Sequence, residues 1–102
     1  MEIKIGNISV CTKTNNIITA NFDLIKVEKK TIGLLLYLDE YIETEVSRES
    51  ILRNVWGEDR NDYWTGRSMD VYVSKLRKIL KHNSNLSIKN RRGFGFTLLI
   101  NK

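Results

Sequence analysis

"RSMDVYVSKLRKIL", residues 67–80, is the longest stretch of this 102-residue chain whose side chains repeat with a single period. Met69, Val73, Leu76 and Leu80 fall at i, i+4, i+7 and i+11, one apolar stripe on an α-helix. The opposite side carries Arg67, Val71, Ser74, Lys75 and Lys78. That outer face is basic, with one apolar residue set in its middle. The pattern predicts a helix over 67–81 that buries one face and offers the other to a partner.

The elements on either side follow from local signals. Downstream, "LSIKNR" and "GFTLLI" read as two strands around an Arg92–Gly93 turn, a hairpin over 86–100. Strand alternation divides Phe94, Phe96, Leu98 and Leu99 between core and surface, and leaves open which phenylalanine faces inward. Upstream, "VSRESILRNVWGE" reads as a helix. Ser47 is its N-cap, Glu49 lies in its first turn, Ile51, Leu52, Val55 and Trp56 form its apolar stripe, and Gly57 stops it. A polar loop, "EDRNDYWT", is expected between these two helices. Before them, "KKTIGLLLYLDEYI" places Ile32, Leu35, Leu36 and Leu38 on one helical face, which Gly33 weakens by about 1 kcal/mol relative to alanine. The first 26 residues read as short strands: "IKIGNISV" around Gly6–Asn7, then "NIITA" and "FDLIKV", separated by asparagines that suit tight turns.

The fold class is therefore α+β, a single domain over 1–102. An N-terminal antiparallel sheet occupies about 1–27, three helices occupy 28–82, and a hairpin closes the chain. Two helices joined by a loop, the later one basic on its outer side, suggest a helix-turn-helix. A basic-tipped hairpin directly after it suggests a wing.

Charge is divided unevenly along the chain. Residues 1–62 carry eight Lys/Arg against eleven Asp/Glu, a net −3, whereas residues 63–102 carry nine against one, a net +8. A polyanionic partner accounts for such an asymmetry. Enzyme chemistry finds no support. His82 is the single histidine and has no evident nucleophile or acid beside it, and Cys11 is the single cysteine, so neither a metal site nor a thiol catalyst follows. "GFGFTL" lacks the third glycine of a dinucleotide fingerprint and precedes a strand instead of a helix. No cofactor is implied. The absence of a disulfide pair, a signal peptide and any run near the ~20 apolar residues of a membrane span points to the cytoplasm, with no membrane partner.

Three segments, in order and at matching separations, carry a family resemblance. "VSRESILRNVWGED" resembles the second-helix segment of OmpR/PhoB-type response regulator effector domains. "RSMDVYVSKLRKIL" resembles their recognition helix, and "RRGFGF" resembles their wing. The similarity runs from about residue 27 to residue 100. It departs at Phe96, where tyrosine is usual, at Tyr72, where histidine is frequent, and at the start of the first helix, where Glu28 and Thr31 replace a Leu-Thr opening. The family's phosphorylatable receiver domain is not in this chain.

The resemblance implies a winged helix-turn-helix with a four-stranded N-terminal sheet, and sequence-specific binding of double-stranded DNA in transcription regulation within a two-component phosphorelay. Helix 67–81 is then expected in the major groove and the wing, 90–93, on the adjacent backbone or minor groove. The DNA-facing positions are Arg67, Ser68, Val71, Tyr72, Ser74, Lys75, Arg77 and Lys78 on the helix, with Asn90, Arg91 and Arg92 on the wing. Periodicity agrees for the outer face. Val71 suits a thymine methyl, and Arg67 suits a phosphate or a guanine edge. Each has a competing structural role: Arg77 as an ion-pair partner, Tyr72 as half core, Val71 packed on the wing, Lys78 simply solvated. Asp70 is expected to pair with a neighbouring arginine. Glu58, Asp59, Asp62 and Trp64 are candidates for an RNA polymerase contact loop, with packing of Trp64 onto the domain as the alternative. The family also implies an operator of direct repeats, self-association on DNA, and a sensor histidine kinase acting through a receiver domain. The competing function is a winged-helix protein–protein interaction module without DNA specificity.

Overall fold

A computed structural model describes residues 2–57 and 62–101, with side chains from Met69 onward in the second segment. The chain opens with an antiparallel meander: β1 (Glu2–Ile5), β2 (Ile8–Cys11), β3 (Asn16–Ile18) and β4 (Leu24–Lys26), hydrogen-bonded in that order. Ile5, Ile8, Val10 and Ile17 are buried on its inner face, as period-2 alternation requires. Helix α1 (Lys29–Glu40) follows, and buries Thr31, Ile32, Leu34, Leu35 and Leu38. Leu34 belongs to this face although the sequence pattern omitted it, and Leu36 is only half-buried. A broad interior-facing surface accepts more positions than a narrow stripe does.

Strand β5 (Val46–Ser47) leads straight into α2 (Arg48–Ile51), which widens into a π-type turn over Leu52–Trp56. Ser47 caps this helix, its Oγ accepting from the Ser50 N–H at 3.1 Å. Gly57, at φ +61°, ends it in a conformation that favours glycine. Helix α3 spans Asp62–Asn83, so it begins five residues before the expected Arg67 and takes in part of the supposed loop, Asp62 and Trp64 included. Gly66 does not break it, because one interior glycine costs only about 1 kcal/mol. Met69, Val73, Leu76 and Leu80 are all buried.

The chain closes with β6 (Leu86–Arg91) and β7 (Gly95–Ile100), paired from Leu86↔Ile100 to Arg91↔Gly95. The Phe94 N–H donates to the Arg91 carbonyl at 3.0 Å, and Gly93 sits at φ +81°, the left-handed third position that a type II turn demands. Arg92 is thereby at the tip. Phe96 is the inward ring at 2% exposure, and Phe94 the outward one at 61%. Strand β5 adds to the free side of β7, giving a sheet ordered β5-β7-β6 that sequence periodicity, with only two residues to read, does not reveal.

Gly95 has a different task from Gly93. A Cβ placed on it would stand 2.0 Å from the Val46 carbonyl oxygen and 3.0 Å from the Ser47 Cα. The wing is therefore clamped against β5 by an approach that no side chain permits. The Arg48 N–H donates to the Phe94 carbonyl at 3.1 Å just beyond it. At the opposite end of the wing, Asn7 and Asn85 exchange hydrogen bonds: the Asn7 N–H donates to Asn85 Oδ1 at 3.1 Å, and the Asn85 N–H to Asn7 Oδ1 at 2.9 Å. These join the β1–β2 turn to the start of β6.

The start of α1 is tied to the middle of α3. The Tyr72 ring meets Trp56 edge-on with centroids 5.8 Å apart, and its hydroxyl donates to Glu28 Oε2 at 2.5 Å. That hydrogen bond, with burial and the nearby carboxylate charge, raises the Tyr72 pKa above its ordinary value of 10.0.

Gly95→Ala must push β5 away from β7, and an overpacking cost of about 1–3 kcal/mol is expected; urea unfolding measures it, and an unchanged midpoint would refute the close approach. Tyr72 should ionise above the ordinary tyrosine value of 10.0. The fold holds its neutral form, so the contribution is complete below the unfolded pKa near 10.0 and is lost as pH rises through the higher folded value. Ultraviolet titration of the phenolate band should lose a component above that ordinary value in Tyr72→Phe. Loss of a lower component instead would separate Tyr72 from Glu28.

Candidate nucleic-acid interface

Burial of one stripe of α3 dictates what its other side presents. Val71, Ser74, Lys75 and Lys78, at i, i+3, i+4 and i+7, are all exposed, so they form a row along the helix. Val71 is 51% exposed, and neither the wing nor the core covers it. An apolar side chain among hydroxyl and ammonium groups is the feature that a purely solvated face would not require.

Beside this row runs a groove of about 570 Å³ between α3 and the wing. Ser74 and Arg77 line its helix side, and Asn90, Arg92 and Gly93 line its hairpin side. The two elements thus bring together residues that the sequence assigns to one surface from opposite ends of an 18-residue separation. A second groove, of about 420 Å³, continues along the same helix past Arg77, Lys78 and Lys81 toward Ser84 and Ser87. Arg77, Lys78, Lys81 and Arg92 are exposed. Among the described residues Arg77, Lys78 and Arg92 make no ion pair.

Other expected contacts are engaged within the protein. Arg91 reaches Glu45 at 3.3 Å, and its guanidinium lies over the Phe94 ring at 4.5 Å from the centroid. It braces the wing from the side of the segment before β5. Tyr72 is half-buried, with its ring on Trp56 and its hydroxyl on Glu28. It stands beside the outward row instead of in it. Lys75 lies in the row, with Nζ 3.7 Å from Glu28 Oε1. Asp70 pairs with an arginine as expected: Arg48 Nη1 lies 2.7 Å from Asp70 Oδ1, and Nη2 donates to Oδ2 at 3.3 Å. This forked contact links the start of α2 to the first described turn of α3's outer side.

Arg67, Ser68, Glu58 and Asp59 lie outside the described residues or side chains, as do the side chains of Asp62 and Trp64. Three residues that sequence reasoning assigned no place here are brought to the site by folding. Glu28, Glu45 and Arg48 lie 44, 46 and 22 residues from their partners. No local pattern marks such pairs. An arginine partner is expected for Asp70, but nothing local singles out Arg48. No group of acids, histidines and cysteines suited to a metal ion occurs among the described residues, and no helix among them is long and apolar enough to cross a membrane.

Comparison with known proteins fits this geometry. The family described as "Transcriptional regulatory protein, C terminal" matches residues 23–98. Transcriptional regulatory protein RprY of Bacteroides fragilis (strain YCH46) is 33% identical over 96 residues, covering 94% of this chain and 39% of RprY. The chain therefore spans about two fifths of that relative's length. Among solved structures, the DNA-binding domain of E. coli CadC superposes with a TM-score of 0.81 at 26% identity, covering 95% of this chain and 90% of that domain. The DNA-binding domain of Bacillus subtilis CssR gives 0.74 at 28% identity, with coverage of 89% and 98%. The match takes in all three helices and the wing through Leu98, and the chain belongs to the OmpR/PhoB-type family of transcriptional regulatory protein C-terminal domains.

Proposed function

We infer that this chain binds double-stranded DNA sequence-specifically and regulates transcription, with α3 in the major groove and the wing tip on the flanking backbone or minor groove. The observation that carries this reading is the exposed row of Val71, Ser74, Lys75 and Lys78 beside a groove whose far wall holds Asn90 and Arg92. The similarity to proteins described as DNA-binding domains supports it.

Each residue type has a physical job in this arrangement. A helix about 10–12 Å across fits a major groove about 12 Å wide. Lys78, Arg77 and Arg92 would neutralise phosphates and release condensed counterions, which gives affinity without sequence information. Val71 and Ser74 would meet base edges, the valine against a thymine methyl and the serine as donor or acceptor. Lys75 can reach either. Arg67 and Ser68 extend the row by sequence. Tyr72 and Arg91 orient the reading elements from within the protein. Cytoplasmic residence, self-association on direct repeats, and control by a sensor kinase through a receiver domain belong to the same reading. They are supported by the family alone.

Selection from random duplex should yield a preferred sequence. Arg92→Ala should weaken binding to it and make the salt slope, log K against log salt concentration, shallower by about 0.9. Val71→Ala with Lys75→Ala should reduce discrimination between selected and random duplex by more than it reduces affinity for random duplex. A chain that selects no duplex, or that prefers single-stranded RNA in a parallel arm, overturns the reading.

Acidic Glu58, Asp59 and Asp62, together with Trp64, are proposed to meet RNA polymerase. Replacing Asp62 and Trp64 by alanine should lower activated transcription while sparing DNA affinity. Equal loss of both would assign these residues to folding.

A further inference from the structure

Glu28 stands at the N-cap of α1, yet its side chain makes no capping hydrogen bond there. An N-cap oxygen ordinarily accepts from the second or third N–H of its own helix. Glu28 instead turns both carboxylate oxygens onto α3. Oε2 accepts from the Tyr72 hydroxyl at 2.5 Å, and Oε1 faces Lys75 Nζ at 3.7 Å. Tyr72 is itself held by the buried Trp56, so the carboxylate is fixed from behind. A negative charge is thus positioned next to a member of the basic row.

We propose that Glu28 is a specificity-determining residue, whose tyrosine-held carboxylate keeps Lys75 engaged with the protein until a correctly seated duplex takes it over. This rests on the DNA-binding reading of the α3 face. A carboxylate repels phosphate and competes with it for the same ammonium group. A random duplex, held through Arg92, Lys78 and other phosphate contacts, meets Lys75 already neutralised by Glu28. A cognate duplex seats Val71 and Ser74 on base edges, which draws α3 deep enough for an acceptor on the DNA to replace Oε1. The pair therefore withholds one cation from non-specific binding and releases it when the sequence is right. The cost of the pair falls on the wrong sites.

The experiment compares wild type, Glu28→Gln, Lys75→Ala and the double variant on the selected duplex and on a random one, across a salt series. Glutamine keeps an oxygen for the Tyr72 hydroxyl and removes the charge. Glu28→Gln is expected to tighten random-duplex binding by about fivefold, the upper range for an exposed ion pair, and to tighten cognate binding less. The specificity ratio then falls. Its salt slope on random duplex should steepen by about 0.9, the signature of one added phosphate contact. In the Lys75→Ala background both effects should vanish. A wild type that binds duplex but is matched by Glu28→Gln in ratio and slope overturns this inference and leaves the DNA reading standing. So does a gain that persists without Lys75, which would be general charge repulsion. A wild type that binds no duplex overturns both.

Discussion

The burial of Met69, Val73, Leu76 and Leu80 against the three-helix core is the constraint on which the interface depends. A helix packed on one stripe has no freedom to rotate about its axis. A rotation of one residue's worth, about 100°, would carry Val73 into water and bring Ser74 against leucines. Burying a single such side chain is worth about 1.5–3 kcal/mol. Four of them on one stripe hold the rotation firmly, and the row of Val71, Ser74, Lys75 and Lys78 follows as its consequence. The face proposed to read DNA is thus specified by residues on the buried side of the helix.

Placement of the wing relative to that row comes from a backbone contact and not from side-chain packing alone. Gly95 lets β7 approach the Val46 carbonyl more closely than any Cβ would permit, while Phe96, next in the strand, anchors the hairpin in the core. Arg48 connects both sides. Its N–H donates to Phe94 on the wing, and its guanidinium grips Asp70 on α3. One residue at the start of α2 therefore sets the separation between the two elements that wall the groove. The pair is partly exposed, so its value lies in register more than in stability.

Most of this was readable from local patterns, for reasons that particular residues make plain. Helix α3 announces itself by a stripe repeated over three turns, Ser47 by its place before an apolar run, and the wing tip by Arg92–Gly93 between two strands. The start of α3 lies before the expected Arg67: Gly66 and its polar neighbours read as a loop, although one interior glycine costs a helix only about 1 kcal/mol. Strand β5 was missed because two residues carry no period. Phe94 and Phe96 stand two apart and would share one face of a continuous strand, but Phe94 closes the turn before β7 and faces outward, while Phe96 within β7 faces the core. Gly93 and Gly95 look alike in sequence, but one supplies a positive φ and the other an empty space. That distinction exists only once β5 is beside β7.

The acids around the interface are the part that no local pattern discloses, and their arrangement has a logic of its own. Residues 63–102 carry a net +8, and a surface of that charge would adhere to any duplex through counterion release. Folding brings two acids from the negative half of the chain onto it, Glu28 to Lys75 and Glu45 to Arg91, while Asp70, the one acid of the basic half, pairs with Arg48 from the negative half. Arg91 and Arg48 are used to fix the wing and the helix, and their charges are compensated where they stand. Arg77, Lys78 and Arg92 are exposed and make no ion pair among the described residues. Exposed pairs of this kind contribute at most about 1 kcal/mol each to stability, too little to account for their placement by folding energy. Their larger effect is on the field outside the protein, which they narrow from a broad basic patch to the helix row and the wing tip. A duplex bound as proposed would meet its strongest attraction along that line.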